Sequence, residues 1–398
     1  MTQQTQIKQI SKGWKEIPLN EVLDYEQPNG YIIKSKIKEN GKTPVLTANK
    51  SFIKGYVDES DNIYSKIPTI IFDDFTADNK FVNFPFKVKS SAMKILNLKE
   101  DVEFDLRFVF YQMQIQKVNT TTHKRYYLSK YQNLKFSFPS LPEQTLIVQE
   151  IEKQFTRLDA AVKSLKSVKQ KLEVYRKAVL NKSFYGDKKT FPEIISKEKH
   201  SMKRGPFGGS LKKEIFVPSG FLVYEQYHPI NNDFDFGRYF ITKEKFEEMK
   251  AFFVKPGDLL ISCSGTIGKI AEIPEENFKE GIINQALLKI TLDNSKVLNK
   301  YFIYLFQSQY IQKHLTKISR GVAIKNVPSV KELKTIEFPI PSIQEQQVIL
   351  QNIESKFSVI DKIEQVVNES LKKSEKLRKS ILKSAFGGKL VKIEEVKE

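Results

Sequence analysis

The chain is poor in the residues from which catalytic and metal sites are most often built. Its 398 residues include one cysteine, Cys263. That excludes a disulfide framework and a metal site made of several thiolates within the chain, and it suits a reducing compartment. The four histidines, His123, His200, His228 and His314, are scattered without metal-ligand spacing. No apolar run approaches the ~18–20 residues that cross a bilayer. Residues Met1 to Ser11 are polar and Gln-rich, with no apolar signal region. These absences predict a cytoplasmic protein with no membrane partner. A nucleotide-binding loop is missing too, because Gly265-Thr266-Ile267-Gly268-Lys269 is too short for the phosphate-cradling pattern. No Asn-Pro-Pro-Tyr-like methyltransferase signature occurs. Asp73-Asp74, with no acidic or lysine partner at nuclease spacing, reads as a turn, and Cys263 reads as a small core residue on a strand.

Positive charge, by contrast, is abundant. Lys and Arg number 65 against 47 Asp and Glu, for a formal net charge of +18. A surplus of this size favours a polyanionic partner, nucleic acid before a membrane surface. It is shared evenly, with +6 in residues 1–140 and +6 in residues 187–340. Hydrophobic residues at 40% and aromatics at 12% provide for well-filled cores.

The chain repeats itself. Residues 143–186 align without gaps on residues 345–388, an offset of 202, with 15 of 44 positions identical. The matches include Glu143/Glu345, Gln144/Gln346, Phe155/Phe357, Asp159/Asp361, Arg176/Arg378 and Phe184/Phe386. Both copies have the spacing of long helices. In the first, Val148, Ile151, Phe155, Leu158, Val162, Leu165, Leu172 and Val179 form a seam of period 3.5, interrupted by Lys169 and Arg176. In the second, Leu350, Ile353, Phe357, Ile360, Val367 and Ile381 keep the frame, interrupted by Glu364 and Ser374. Proline-containing turns precede both helices and glycines follow them. Forty helical residues span about 60 Å, and a helix of that length with one apolar stripe needs a partner. The other copy is the nearest candidate.

The remaining segments alternate short β-like runs, such as Thr69–Phe72 and Asp258–Ser262, with Gly, Pro and Asn/Asp turns. The resulting expectation is an α+β protein of four segments. A mixed domain (1–140) is followed by a helical repeat (141–187), a second mixed domain (188–340) and a second helical repeat (341–398).

This plan resembles the DNA-specificity subunit of type I restriction-modification enzymes (HsdS). The resemblance covers nearly the whole length. It rests on the turns Phe138-Pro139-Ser140-Leu141-Pro142-Glu143-Gln144 and Ile340-Pro341-Ser342-Ile343-Gln344-Glu345-Gln346, and on the long helix after each, closing in Arg-Lys-x-x-Leu and Phe-x-Gly. It also rests on Gly257–Ser262 followed by Ser264-Gly265-Thr266-Ile267-Gly268-Lys269. The resemblance implies two target-recognition domains, each reading half of a split duplex site. They would be joined by an antiparallel coiled coil that acts as a spacer with pseudo-twofold symmetry. A four-residue insertion in such a spacer moves a domain by ~6 Å, close to two base pairs. The resemblance further implies docking on methyltransferase subunits, two per chain, and on restriction-translocase subunits. S-adenosylmethionine, ATP and Mg would belong to those partners, and this chain would hold no cofactor and perform no catalysis. A protein-interaction scaffold without specific DNA binding, and a bifunctional nuclease or methyltransferase, are the competing readings.

Candidate DNA-contacting residues lie in loops. In the second mixed domain they are Lys203, Arg204 and Ser210 of Lys203-Arg204-Gly205-Pro206-Phe207-Gly208-Gly209-Ser210, then Ser264, Thr266 and Lys269. Arg320 and Lys325 lie before the second long helix, and Asn284 and Gln285 offer amides suited to adenine. In the first domain the candidates are Asn49, Lys50, His123, Lys124 and Arg125. Phe72-Asp73-Asp74-Phe75-Thr76 there takes the place of the Ser-Gly-Thr-Ile-Gly turn. The Glu-Gln turns read as caps for the helix starts.

Overall fold

The computed structural model describes residues 13–47, 51–116, 125–318 and 329–391. The chain folds as two compact units: Met1–Lys166 with Asn368–Glu398, and Ser167–Val367. Each unit combines one mixed segment with part of each long helix.

In the first unit a four-stranded antiparallel sheet runs in the order Leu23–Glu26, Met93–Leu98, Thr69–Asp73, Asn79–Val82. The central strand is apolar on both faces because both faces are covered. Alternation sends Ile70 and Phe72 to one side, where they pack with Phe108, Val148 and Ile151 of the helices. Ile71 faces the other side and joins Leu46, Val82 and Val88. A small sheet, ordered Ile53–Val57, Thr43–Leu46, Lys87–Val88, covers that side.

The second unit repeats this plan with different residues. Its four-stranded sheet is ordered Met202–Arg204, Leu287–Ile290, Leu259–Ser262, Ile270–Glu272. Leu259, Ile261 and Cys263 pack toward helix Asn299–Gln307 and the long helices. Leu260 faces a second sheet, ordered Phe240–Ile241, Phe221–Tyr224, Gly281–Ile283, Phe253–Val254. Cys263 is fully buried just past its strand, and burial pushes its thiol up to about 11.

The long helices run Leu141–Ser183 and Ile343–Phe386. Within each unit their segments lie antiparallel. In the first unit Arg378 pairs with Asp159 and lies 4.1 Å from the Phe155 ring centroid. In the second, Arg176 pairs with Asp361 and lies 4.6 Å from the Phe357 centroid. These are the same contacts displaced by the repeat offset. Two of the four seam interruptions are thereby explained: Arg176 of the first helix also meets Glu364 of the second at 3.5 Å. Both long helices are seated by a buried glutamine. The Gln144 amide accepts from Asp105 N–H and donates to Pro139 O, both at 3.0 Å. The Gln346 amide accepts from Leu298 N–H at 2.9 Å and donates to Lys296 O and Pro341 O. Each thus ties a long helix to the start of the short helix before it.

Candidate nucleic-acid interface and docking clefts

Several of the loops singled out in the sequence meet at one end of the second unit's main sheet. The edge strand Met202–Arg204 pairs with Leu288–Ile290, and Gly205 N–H then bonds Leu287 O at 2.9 Å. Gly205 is pressed so closely against the turn before that strand that an added Cβ would lie 1.8 Å from Asn284 O. Next to this turn, Cys263 N–H bonds Ala286 O at 2.8 Å. The Ser264–Lys269 turn therefore emerges beside it. That turn is tied shut by buried Ser262, whose hydroxyl donates to Thr266 O and accepts from Lys269 N–H. Gly265 and Gly268 have φ of +65° and +75°, which explains the glycines of the motif.

The candidates in these loops are placed unequally. Thr266 and Lys269 are exposed, Ser264 is half-buried, and Ser210 is exposed at the end of the short turn Gly208–Ser210. Lys203 and Arg204 are neighbours on a strand and so face opposite sides. Lys203 lies 5.0 Å from the Phe252 ring centroid, while Arg204 lies near Cys263. Gln285 is exposed, whereas the Asn284 side chain accepts from Ala286 N–H and holds the turn. Arg320 and Lys325 lie outside the described residues.

In the first unit the corresponding sheet end carries other chemistry. Asp74 N–H bonds Ala92 O as Cys263 N–H bonds Ala286 O, so the Asp73–Thr76 turn occupies the matching place. Asp73 caps that turn, accepting from Phe75 and Thr76 N–H. Asp74 is buried and pairs with buried Lys94 at 3.6 Å, a lysine partner from another strand that sequence spacing did not reveal. It also accepts from Tyr127 N–H, while its backbone carbonyl accepts from Tyr126 N–H. This anchors the segment that carries exposed Arg125. Asn49, Lys50, His123 and Lys124 lie outside the described residues. Phe75 is about a third exposed (36%) on the turn.

A second feature was not legible as a site. Each unit has an open cleft between its short helix and the long-helix pair, of about 490 Å³ in the first and about 610 Å³ in the second. The two are lined alike by Glu152/Glu354, Phe155/Phe357, Asp159/Asp361, Arg378/Arg176 and Leu382/Leu180, with Tyr111/Tyr304 and Gln114/Gln307 from the short helices. Tyr111 meets Phe155 edge-on at 5.7 Å, as Tyr304 meets Phe357 at 5.6 Å. The repeated long helices supply most of each lining, and the rest comes from the short helices, which lie outside the repeat.

A family model described as "Type I restriction modification DNA specificity domain" matches residues 11–174 and again residues 208–373. The chain belongs to this family. It is 30% identical over 370 residues to the type I restriction enzyme EcoR124I/EcoR124II specificity subunit of Escherichia coli, covering 88% of this chain and 87% of that one. It is 25% identical to the EcoBI specificity subunit of Escherichia coli, covering 96% and 87%. Among solved structures, the fold matches a chain from a study of complex assembly and conformational transition of the type I system. The TM-score is 0.70 at 14% identity, over 96% of this chain and 99% of that one. The HsdS subunit of Thermoanaerobacter tengcongensis matches at 0.55 and 14% identity, over 98% and 100%. The specificity domain is thus present twice, and two repeated α+β domains with long helices are the fold of this family. Among the described residues no helix is long and apolar enough to cross a membrane, and no group of three His, Cys, Asp or Glu is placed to hold a metal ion.

Proposed function

We propose that the chain is the non-catalytic specificity subunit of a type I restriction-modification complex, each unit reading one half of a split duplex site. One observation carries this reading: the two units share one framework but end it in different loops. Ser264–Lys269 with Gly205 and Gln285 stands in one, and Asp73–Thr76 with Arg125 in the other. Two readers of two different half-sites need this combination of equal scaffolds and unequal tips. Exposed Lys and Arg supply affinity and salt dependence, and loop hydroxyls and amides supply sequence choice.

The matched clefts support docking of two copies of one partner, the methyltransferase subunit. Only a surface present twice can seat two copies alike. S-adenosylmethionine, ATP and Mg belong to the partner subunits in this reading. The methyltransferase extracts its adenine from the stack, and this chain places it at the site.

Two experiments test this. Co-expression with the methyltransferase subunit, followed by genome-wide mapping of methyladenine, yields a split motif that depends on this chain. A methylation pattern indifferent to the chain contradicts the reading and leaves a protein scaffold. Thr156 and Ser358 are exposed residues at matching places in the clefts. Thr156→Trp and Ser358→Trp each plug one cleft, and each leaves one methyltransferase in the complex by native mass spectrometry. Retention of two by the double variant contradicts docking in the clefts.

A further inference from the structure

Phe207 is 94% exposed, the most exposed large apolar side chain among the described residues. A single exposed apolar residue is ordinary, but the way this one is held is not. Pro206, immediately before it, is buried, and Gly205 has no room for a side chain against Asn284 O. Immediately after it, Ser210 N–H bonds Phe207 O at 3.0 Å and closes a tight turn. The backbone on both sides is held by these contacts, so the ring is carried outward at a set place on the surface. Its position is the same sheet end that carries exposed Gln285, Thr266 and Lys269. In the first unit, the turn after the equivalent edge strand, Pro28–Tyr31, points Asn29 and Gly30 outward and has no apolar tip.

We infer that Phe207 is a wedge that enters a base step in the half-site read by the second unit. This rests on the DNA-reading role proposed above. Apolar side chains held rigidly beside hydrogen-bonding groups unstack base steps in this way, and the ring recovers the lost stacking against the base it meets. The two half-sites are then read by different means. The second is read partly through the ease of opening one step, favouring flexible pyrimidine–purine steps; among the described residues, the matching turn Pro28–Tyr31 of the first unit offers no such tip.

The test uses the full chain in complex with its methyltransferase subunits, and a duplex carrying the methylation-mapped site. Permanganate oxidises thymines that have lost stacking. Besides the thymines opposite the adenines that the methyltransferases extract, the wild-type complex raises permanganate reactivity several-fold at one further step, in the second unit's half-site. Phe207→Ala abolishes that reactivity and weakens site binding about tenfold, with an unchanged melting temperature because the side chain is exposed. Phe207→Trp retains the reactivity. A Phe207→Ala complex with unaltered reactivity and affinity overturns the wedge while leaving DNA reading intact. Loss of methyltransferase from the Phe207→Ala complex overturns it in favour of a protein contact. A wild-type complex that binds no duplex overturns both this inference and the reading beneath it.

Discussion

Glu59 shows how single residues hold the first unit together. Its carboxylate accepts from the Ser35 hydroxyl and from the backbone N–H groups of Lys34 and Ser35, and it faces fully buried Lys87 at 3.0 Å. Chiefly through the Ser35 hydroxyl, these contacts lower its pKa to about 2. A carboxylate held low in the folded state stabilises above its unfolded pKa of about 4.3 and loses that contribution as pH falls toward 2. Glu59→Gln leaves Lys87 buried without its counterion and costs about 3 kcal/mol at neutral pH. It also flattens the acid limb of stability, which urea unfolding between pH 7 and pH 3 measures. Cys263 behaves oppositely: with its thiol raised to about 11 by burial, the native protein resists alkylation at pH 8 and reacts only on unfolding. Its core role was legible because a lone cysteine following the apolar run Leu259–Ile261, with no second thiol in the chain, has little else to do. The Asp74–Lys94 pair was not legible, since it joins two strands whose register no local pattern states.

At the scale of elements, the sequence marks the Glu-Gln turns as caps, and the structure gives the two residues separate tasks. Glu345 closes a capping box with Ser342, whereas Glu143 accepts from Trp14 Nε1–H at 3.0 Å. The glutamines do the tertiary work. Gln346→Ala strands the Leu298 N–H in the core and costs about 2 kcal/mol. Hydrogen exchange at the start of helix Asn299–Gln307 registers it first. The loops are equally specific about backbone. Gly205→Ala forces its turn away from Asn284, costs about 2 kcal/mol, and shifts Gln285, so the second half-site is read with less discrimination. The 3.5-residue seam was visible because a long helix states its own period. The matching clefts are not legible in the sequence because each is closed by Tyr111 and Gln114 or by Tyr304 and Gln307, on short helices outside the repeat.

At the scale of the molecule, the internal repeat was the strongest sequence signal. It already gave the two-copy architecture and made each long helix the other's candidate partner; the antiparallel sense now seen within each unit was implied by the family resemblance. The mixed domains were legible only as α+β. Their common sheet order emerges from pairings between distant strands, which diverged while the helices did not. The proposed contact loops followed from composition, and part of that set lies outside the described residues. The central claim, that each unit reads its own half-site, has a direct test. Residues 188–340 are replaced by the corresponding segment of the EcoR124I/EcoR124II subunit, and methyladenine is mapped with the methyltransferase present. The account predicts a split motif in which one half changes and the other stays as in the parent. A motif changed in both halves, or in neither, would contradict it.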